Sequence, residues 1–137
     1  MRKDRHHQVP FDEATKTKLR IYQKYIQAWL QVFLNAHHAS GEKFRFYDFF
    51  SGPGIDSMGN HGSPLILMEE LLKNQIALKN RGNDPFIFFN DNNHDKIESL
   101  KNVCIENNYP WTPVFKCLDF QEAFESEVSM IGSSPSI

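Results

Sequence analysis

The sequence predicts an α/β fold, the N-terminal half of a doubly wound, Rossmann-like parallel sheet with a helix in front of it. Three observations carry this. Short apolar runs alternate with segments of helical periodicity, the order of βαβ units whose crossovers are right-handed. The second run, Phe86-Ile87-Phe88-Phe89, is continuous rather than alternating, as in a strand buried on both faces. The first run passes through Tyr47-Asp48-Phe49-Phe50 into Ser51-Gly52-Pro53-Gly54, where glycines permit a sharp turn and close approach of backbone to a ligand.

The elements follow in order. Leu19, Tyr22, Ile26, Trp29, Leu30, Phe33 and Leu34 recur at spacings of three and four, which predicts a helix over 12–38 stopped by Ser40-Gly41. Phe44 to Phe50 is aromatic, bounded by breakers, and predicts the first strand. A polar loop from Ile55 to Gly62 leads to Ser63 as N-cap and Pro64 in the first turn of a second helix. Gly82 and Pro85 punctuate before the second strand, which ends on Asn90-Asp91. Asp95 to Asn107 reads as a helix, Val114 to Leu118 as a third strand ending on Asp119-Phe120, and a last helix starts near Gln121. The domain organisation expected is a polar arm at 1–11, a partial Rossmann-like domain at 12–131 and a flexible tail at 132–137.

Length and composition bound the function. A chain of 137 residues with 40% hydrophobic content is sized for one core, and a formal charge of -2 gives no support to nucleic acid as a partner. The basic start, Met1 to His7, lacks the apolar region of a secretory signal, and no stretch approaches a membrane span, so the default expectation is cytoplasmic with no membrane partner. Cys104 and Cys117 have no CxxC partner and read as free buried thiols.

The chemistry concentrates at strand ends. Asp48, Asn90 with Asp91, and Asp119 all fall at carboxyl ends of predicted strands, the edge where open α/β sheets bind ligands. A dinucleotide fingerprint would carry a third glycine where Ser57 stands, and Pro53 removes a backbone N–H that a pyrophosphate needs. S-adenosylmethionine fits better, since it has no pyrophosphate. Asp48 would lie near its cationic end, Asp91 or Asn90 would accept from the ribose hydroxyls, and Asp119 would face the adenine amino group beside Phe120. Gly52 and Gly54 would complete the cofactor site. The competing reading makes Asp48 and Asp119 loop or helix-capping residues.

The leading helix Lys18 to Trp29, the strand and loop Tyr47-Asp48-Phe49-Phe50-Ser51-Gly52-Pro53-Gly54 and the later Gly62-Ser63-Pro64-Leu65 together resemble the three-Cys-motif partner protein family, TcmP, which is similar to Rossmann-fold methyltransferases. The resemblance runs from about residue 15 onward. It implies a methyltransferase-type sheet, an S-adenosylmethionine pocket, and a protein partner that carries the three-cysteine motif. A complete member would continue into a fourth strand bearing an Asp-Pro type motif; the chain stops at Ile137, so no residue is assigned as a methyl-transfer base. The expected fragment is inactive alone, and the edge of its first strand is unpaired unless the tail or a partner covers it. The alternatives are a non-catalytic Rossmann-like interaction module and a nucleotide-binding protein of unspecified chemistry.

The remaining features have plain explanations. His6-His7 and His37-His38 are adjacent pairs, which do not share a helix face; His61 and His94 fall in predicted loops near the strand ends, where either could touch a ligand, but a lone loop histidine reads as exposed. Lys16, Lys18, Arg20 and Lys24 make a charged helix face that could meet nucleic acid or simply solvent. Tyr25 and Trp29 read most simply as core anchors, although a helix preceding the first strand could also partly cover the pocket.

Overall fold

Asp12 starts the first helix by accepting the Thr15 N–H on its carboxylate at 2.7 Å. The computed structural model describes residues 9–36 and 43–137, in the order α1 (Glu13–Asn35), β1 (Arg45–Asp48), α2 (Ser63–Lys73), α3 (Gln75–Asn80), β2 (Phe86–Asn90), α4 (His94–Asn107), β3 (Val114–Lys116) and α5 (Phe120–Glu127). The stop expected at Ser40-Gly41 and the pairs His6-His7 and His37-His38 lie outside these residues. The α/β class holds, with three parallel strands in the order β1-β2-β3.

Period-two alternation sends the strands' side chains to two faces. Phe44, Phe46, Ile87 and Phe89 join Ile26, Trp29 and Leu30 of α1, the apolar stripe of α2, and Leu100 and Cys104 of α4 in one core. Trp29 meets Phe44 and Phe46 edge-on, each with ring centroids 5.2 Å apart. Each fully buried aromatic of this kind contributes about 2 kcal/mol by removal from water. Tyr25 was expected here as well, but it lies to one side of the stripe and is exposed.

On the opposite face Tyr47 and Phe49 stack at 5.9 Å, and Phe88 lies within 5.9 Å of both rings. Phe49 in turn packs against Phe120 and Phe124 of α5, at 5.6 and 6.0 Å. Thus α5 covers the face that α1, α2 and α4 leave free, which is double winding.

The outer edge of β1 is occupied. Arg45 N–H donates to the Pro135 carbonyl at 2.9 Å, Ile137 N–H to Arg45 at 3.0 Å, and Tyr47 N–H to Ile137 at 2.8 Å, with parallel pairing of Arg45 and Ser136. Residues 135–137, read from the sequence as tail, therefore cover the edge that would otherwise stand unpaired. Their side chains help, since Ile137 packs on the main core and Ser134 accepts from Arg45 Nε at 3.2 Å. The chain leaves β3 through α5 on one face and returns beside β1, whereas β1 reaches β2 over the other face. A topological switch point thus lies between β1 and residues 135–137.

Candidate ligand-binding site at the strand ends

Asp48 closes β1 and points, by alternation, toward α1 and α2. The hydroxyl of Ser63 donates to its Oδ2 in a short hydrogen bond, and the Phe50 N–H donates to Oδ1 at 3.2 Å. Ser63 was expected to cap α2; instead Gly62, which has no side chain to cap with, is the N-cap, and the Ser63 hydroxyl is engaged by Asp48. Burial pushes the Asp48 carboxyl above its usual range, the bonds from Ser63 and Phe50 oppose this, and the nearby charge of Asp91 adds to the rise. Tyr22 of α1 belongs to the same neighbourhood: burial first, and then the charge of Asp48, push its phenol up. The sequence allows the helix before the first strand to cover part of the pocket, but nothing local in it singles out Tyr22 among the residues of the stripe.

Asp91 follows β2. Its Oδ2 accepts the Gly52 N–H at 3.0 Å and its Oδ1 accepts the Asn93 N–H at 2.9 Å. An ionised carboxylate has about four lone-pair sites, so each oxygen retains acceptor capacity. Asn90 is committed differently. Its amide donates to the Phe49 and Leu118 carbonyls at 3.2 and 3.0 Å while its oxygen accepts the Leu118 N–H at 3.0 Å. That fully buried side chain ties the three strand ends to one another, so of the pair Asn90 and Asp91 it is Asp91 that offers oxygens to a ligand.

The two glycines differ in what requires them. Gly52 has φ +67°, and a Cβ there would meet nothing within 4 Å: the loop is open at that point. Gly54 has φ +94°, but a Cβ there would come within 2.8 Å of Leu100 Cδ1, so its role is to let the loop pack on α4. Asp119 is exposed and caps α5, its Oδ1 accepting the Glu122 N–H at 2.8 Å. Beside it Phe120 stacks on Phe50, with centroids 5.4 Å apart and planes 15° apart, and Phe50 is 71% exposed.

Asp48, Gly52 and Asp91 thus gather at one point, whereas Asn90 and Gly54 serve the scaffold beneath and Asp119 stands at the start of α5. Among the described residues no three His, Cys, Asp or Glu side chains converge as a metal site requires. None of the described helices is long and apolar enough to cross a membrane. Cys104 is buried and its thiol is raised to about 11 by burial; Cys117, expected to be buried, is exposed just beyond β3. His94, expected in a loop, is the first residue of α4, while His61 is in the loop after β1. No protein-family model, curated protein or solved structure matches this chain.

Proposed function

We propose that this chain binds S-adenosylmethionine at the carboxyl ends of β1 and β2, as a methyltransferase-like domain of the three-Cys-motif partner type. The observation that supports this most directly is the meeting of Asp48, Asp91 and the open backbone at Gly52 beside the switch point. Two adjacent carboxylates repel a pyrophosphate, Pro53 has no N–H to give, and the Gly52 N–H is already spent on Asp91. The same pair of carboxylate acceptors suits a ligand with cationic sulfur and ammonium groups and a ribose diol. Asp91 accepts from the diol, Asp48 lies toward the cationic end, and the stacked Phe50 and Phe120 rings lie near Asp119, where the adenine is placed. S-adenosylmethionine would supply an activated methyl group; the residues named here bind and orient it.

Isothermal calorimetry of the purified chain with S-adenosylmethionine tests the reading. Saturable heat is expected from the native chain, with affinity weakened about tenfold or more in Asp48→Ala, as for loss of a charged hydrogen-bond acceptor. NAD in place of S-adenosylmethionine should give none. Equal heat from native and variant chains would remove the site from the strand ends.

A further inference from the structure

The loop after β1 helps build a cavity that shares no residue with the strand-end site. It has a volume of about 290 Å³ and lies between the first half of α1 and residues 60–66. Its floor is Phe11, Leu19 and Ile66, and its rim carries Lys16, Arg20 and His61. Lys16 and Arg20 are one helical turn apart, so both cations overhang the same side.

The wall is held in place by Asp56. This buried carboxylate accepts the N–H groups of Phe11 at 2.8 Å, Met58 at 2.9 Å and Asn60 at 2.7 Å, and the Asn60 side-chain amide at 2.9 Å. Phe11 of the floor and Asn60 of the rim are thereby fixed to a single group. Ile55 and His61 pair as an antiparallel bridge, and Gly62 N–H closes the loop onto Gly54 at 2.7 Å. The acidic groups nearby are each engaged, Asp56 by the N–H groups of the wall. Glu13 pairs with Lys16 at 3.7 Å, while Glu70 is met by Gln23, Gln27 and Lys73; Arg20 bonds to the neutral Thr17 hydroxyl at 3.1 Å.

We propose that this cavity binds a phosphate ester with an apolar or planar body, the phosphate between Lys16 and Arg20 and the body on Phe11, Leu19 and Ile66. A pre-formed apolar floor with a few convergent polar groups is the usual construction of a small-molecule site. The guanidinium of Arg20 matches phosphate oxygens in a planar fork, and Lys16 adds a point charge. The ester has two possible sources, a free phosphorylated metabolite or the backbone of a nucleic-acid strand, and the chemistry recognised is the same.

Phenyl phosphate is the probe for the full chain, followed by amide chemical shifts, with phenol and inorganic phosphate as its two halves. It contains neither adenosine nor sulfonium, so its result is separate from that of the S-adenosylmethionine titration. Shifts are expected around residues 11, 19–20, 60–61 and 66, with tighter binding than either half. Arg20→Gln should weaken it by about tenfold, the loss of one charge-assisted hydrogen bond, and Lys16→Gln by a similar factor. Lys101→Gln, which removes a cation of α4 outside the cavity, should leave it unchanged. Phenol binding as tightly as phenyl phosphate, or unchanged affinity in both Arg20→Gln and Lys16→Gln, would overturn the anion site. Inorganic phosphate binding equally tightly would overturn the apolar floor. A further pair, thymidine monophosphate and a short oligothymidylate, separates the sources. Tighter, steeply salt-dependent binding of the strand assigns the phosphate to nucleic acid, and equal affinity per phosphate assigns it to a free ester; either outcome keeps the anion site.

Discussion

The backbone N–H of Gly52 donates to Asp91 Oδ2 at 3.0 Å, so the loop that follows β1 is held by the residue that follows β2. The neighbouring Ser51 N–H donates to the Asn90 carbonyl at 2.8 Å, which makes the attachment continuous with the sheet. A ligand that engaged Asp91 would therefore also sense the position of the loop.

Asp91→Ala should both destabilise the fold and abolish S-adenosylmethionine binding. Two half-buried N–H groups, of Gly52 and Asn93, lose their acceptor, a loss of about 1–2 kcal/mol. Asp91→Asn keeps one acceptor oxygen and should recover part of the stability. Urea unfolding of the three chains checks this; equal midpoints for Ala and native would show that the loop is held by other contacts.

The acid limb of stability should be set in part by Asp56. Burial alone would raise its carboxyl, but the hydrogen bonds from Phe11, Asn60 and Met58 outweigh burial and hold it at about 2, below the ordinary 3.8. A carboxyl whose pKa is lower folded than unfolded adds stability that is complete above the unfolded value and is lost as the proton binds. The contribution should therefore fade as pH drops from about 4 toward 2. Asp56→Asn should flatten stability against pH across that interval, measured by thermal unfolding. A curve parallel to the native one there would assign the acid limb to other carboxylates.

The glycines make a paired prediction. Gly54→Ala brings a Cβ within 2.8 Å of Leu100 Cδ1 in a left-handed backbone, and should destabilise by about 2–4 kcal/mol from overpacking and backbone strain together. Gly52→Ala meets open space and should lose only the backbone part, about 1–2 kcal/mol. The order of the two unfolding midpoints is the test. A reversal would mean that Leu100 moves aside freely.

Much of this was legible in the sequence because it depends on local pattern. The unbroken apolar run at Phe86–Phe89 marks a strand buried on both faces, and α5 and the main core do cover both sides of β2. Acids and glycines at strand ends follow from where strands stop. What stayed hidden depends on which distant groups meet. Asn90 and Asp91 are adjacent and equally polar, yet one ties three strand ends together while the other faces the loop, a division set by which carbonyls lie within reach. The hydrogen bond from Phe11 to Asp56 was equally invisible, since Phe11 is 45 residues away in the chain. Lys16 and Arg20 were visible as a charged helix face, but not the cavity beneath them.

The pairing of residues 135–137 with β1 gives the last prediction. Three backbone hydrogen bonds satisfy the outward N–H and C=O groups of Arg45 and the N–H of Tyr47, and the Ile137 side chain on the core holds the segment there. Ile137→Asp replaces that contact with a charge, which a half-buried site disfavours by about 1–3 kcal/mol, comparable to what so short a segment can contribute. The segment should then leave β1, exposing an edge whose flanking side chains, Tyr47 and Phe49, are aromatic. Unpaired strand edges of this kind recruit other strands. Sedimentation velocity across a concentration series should show the native chain at one mass and Ile137→Asp rising in mass with concentration. Ile137→Val, which retains most of the apolar contact, should behave as native. An Ile137→Asp chain that remained monomeric at every concentration would show that β1 is protected by something other than residues 135–137.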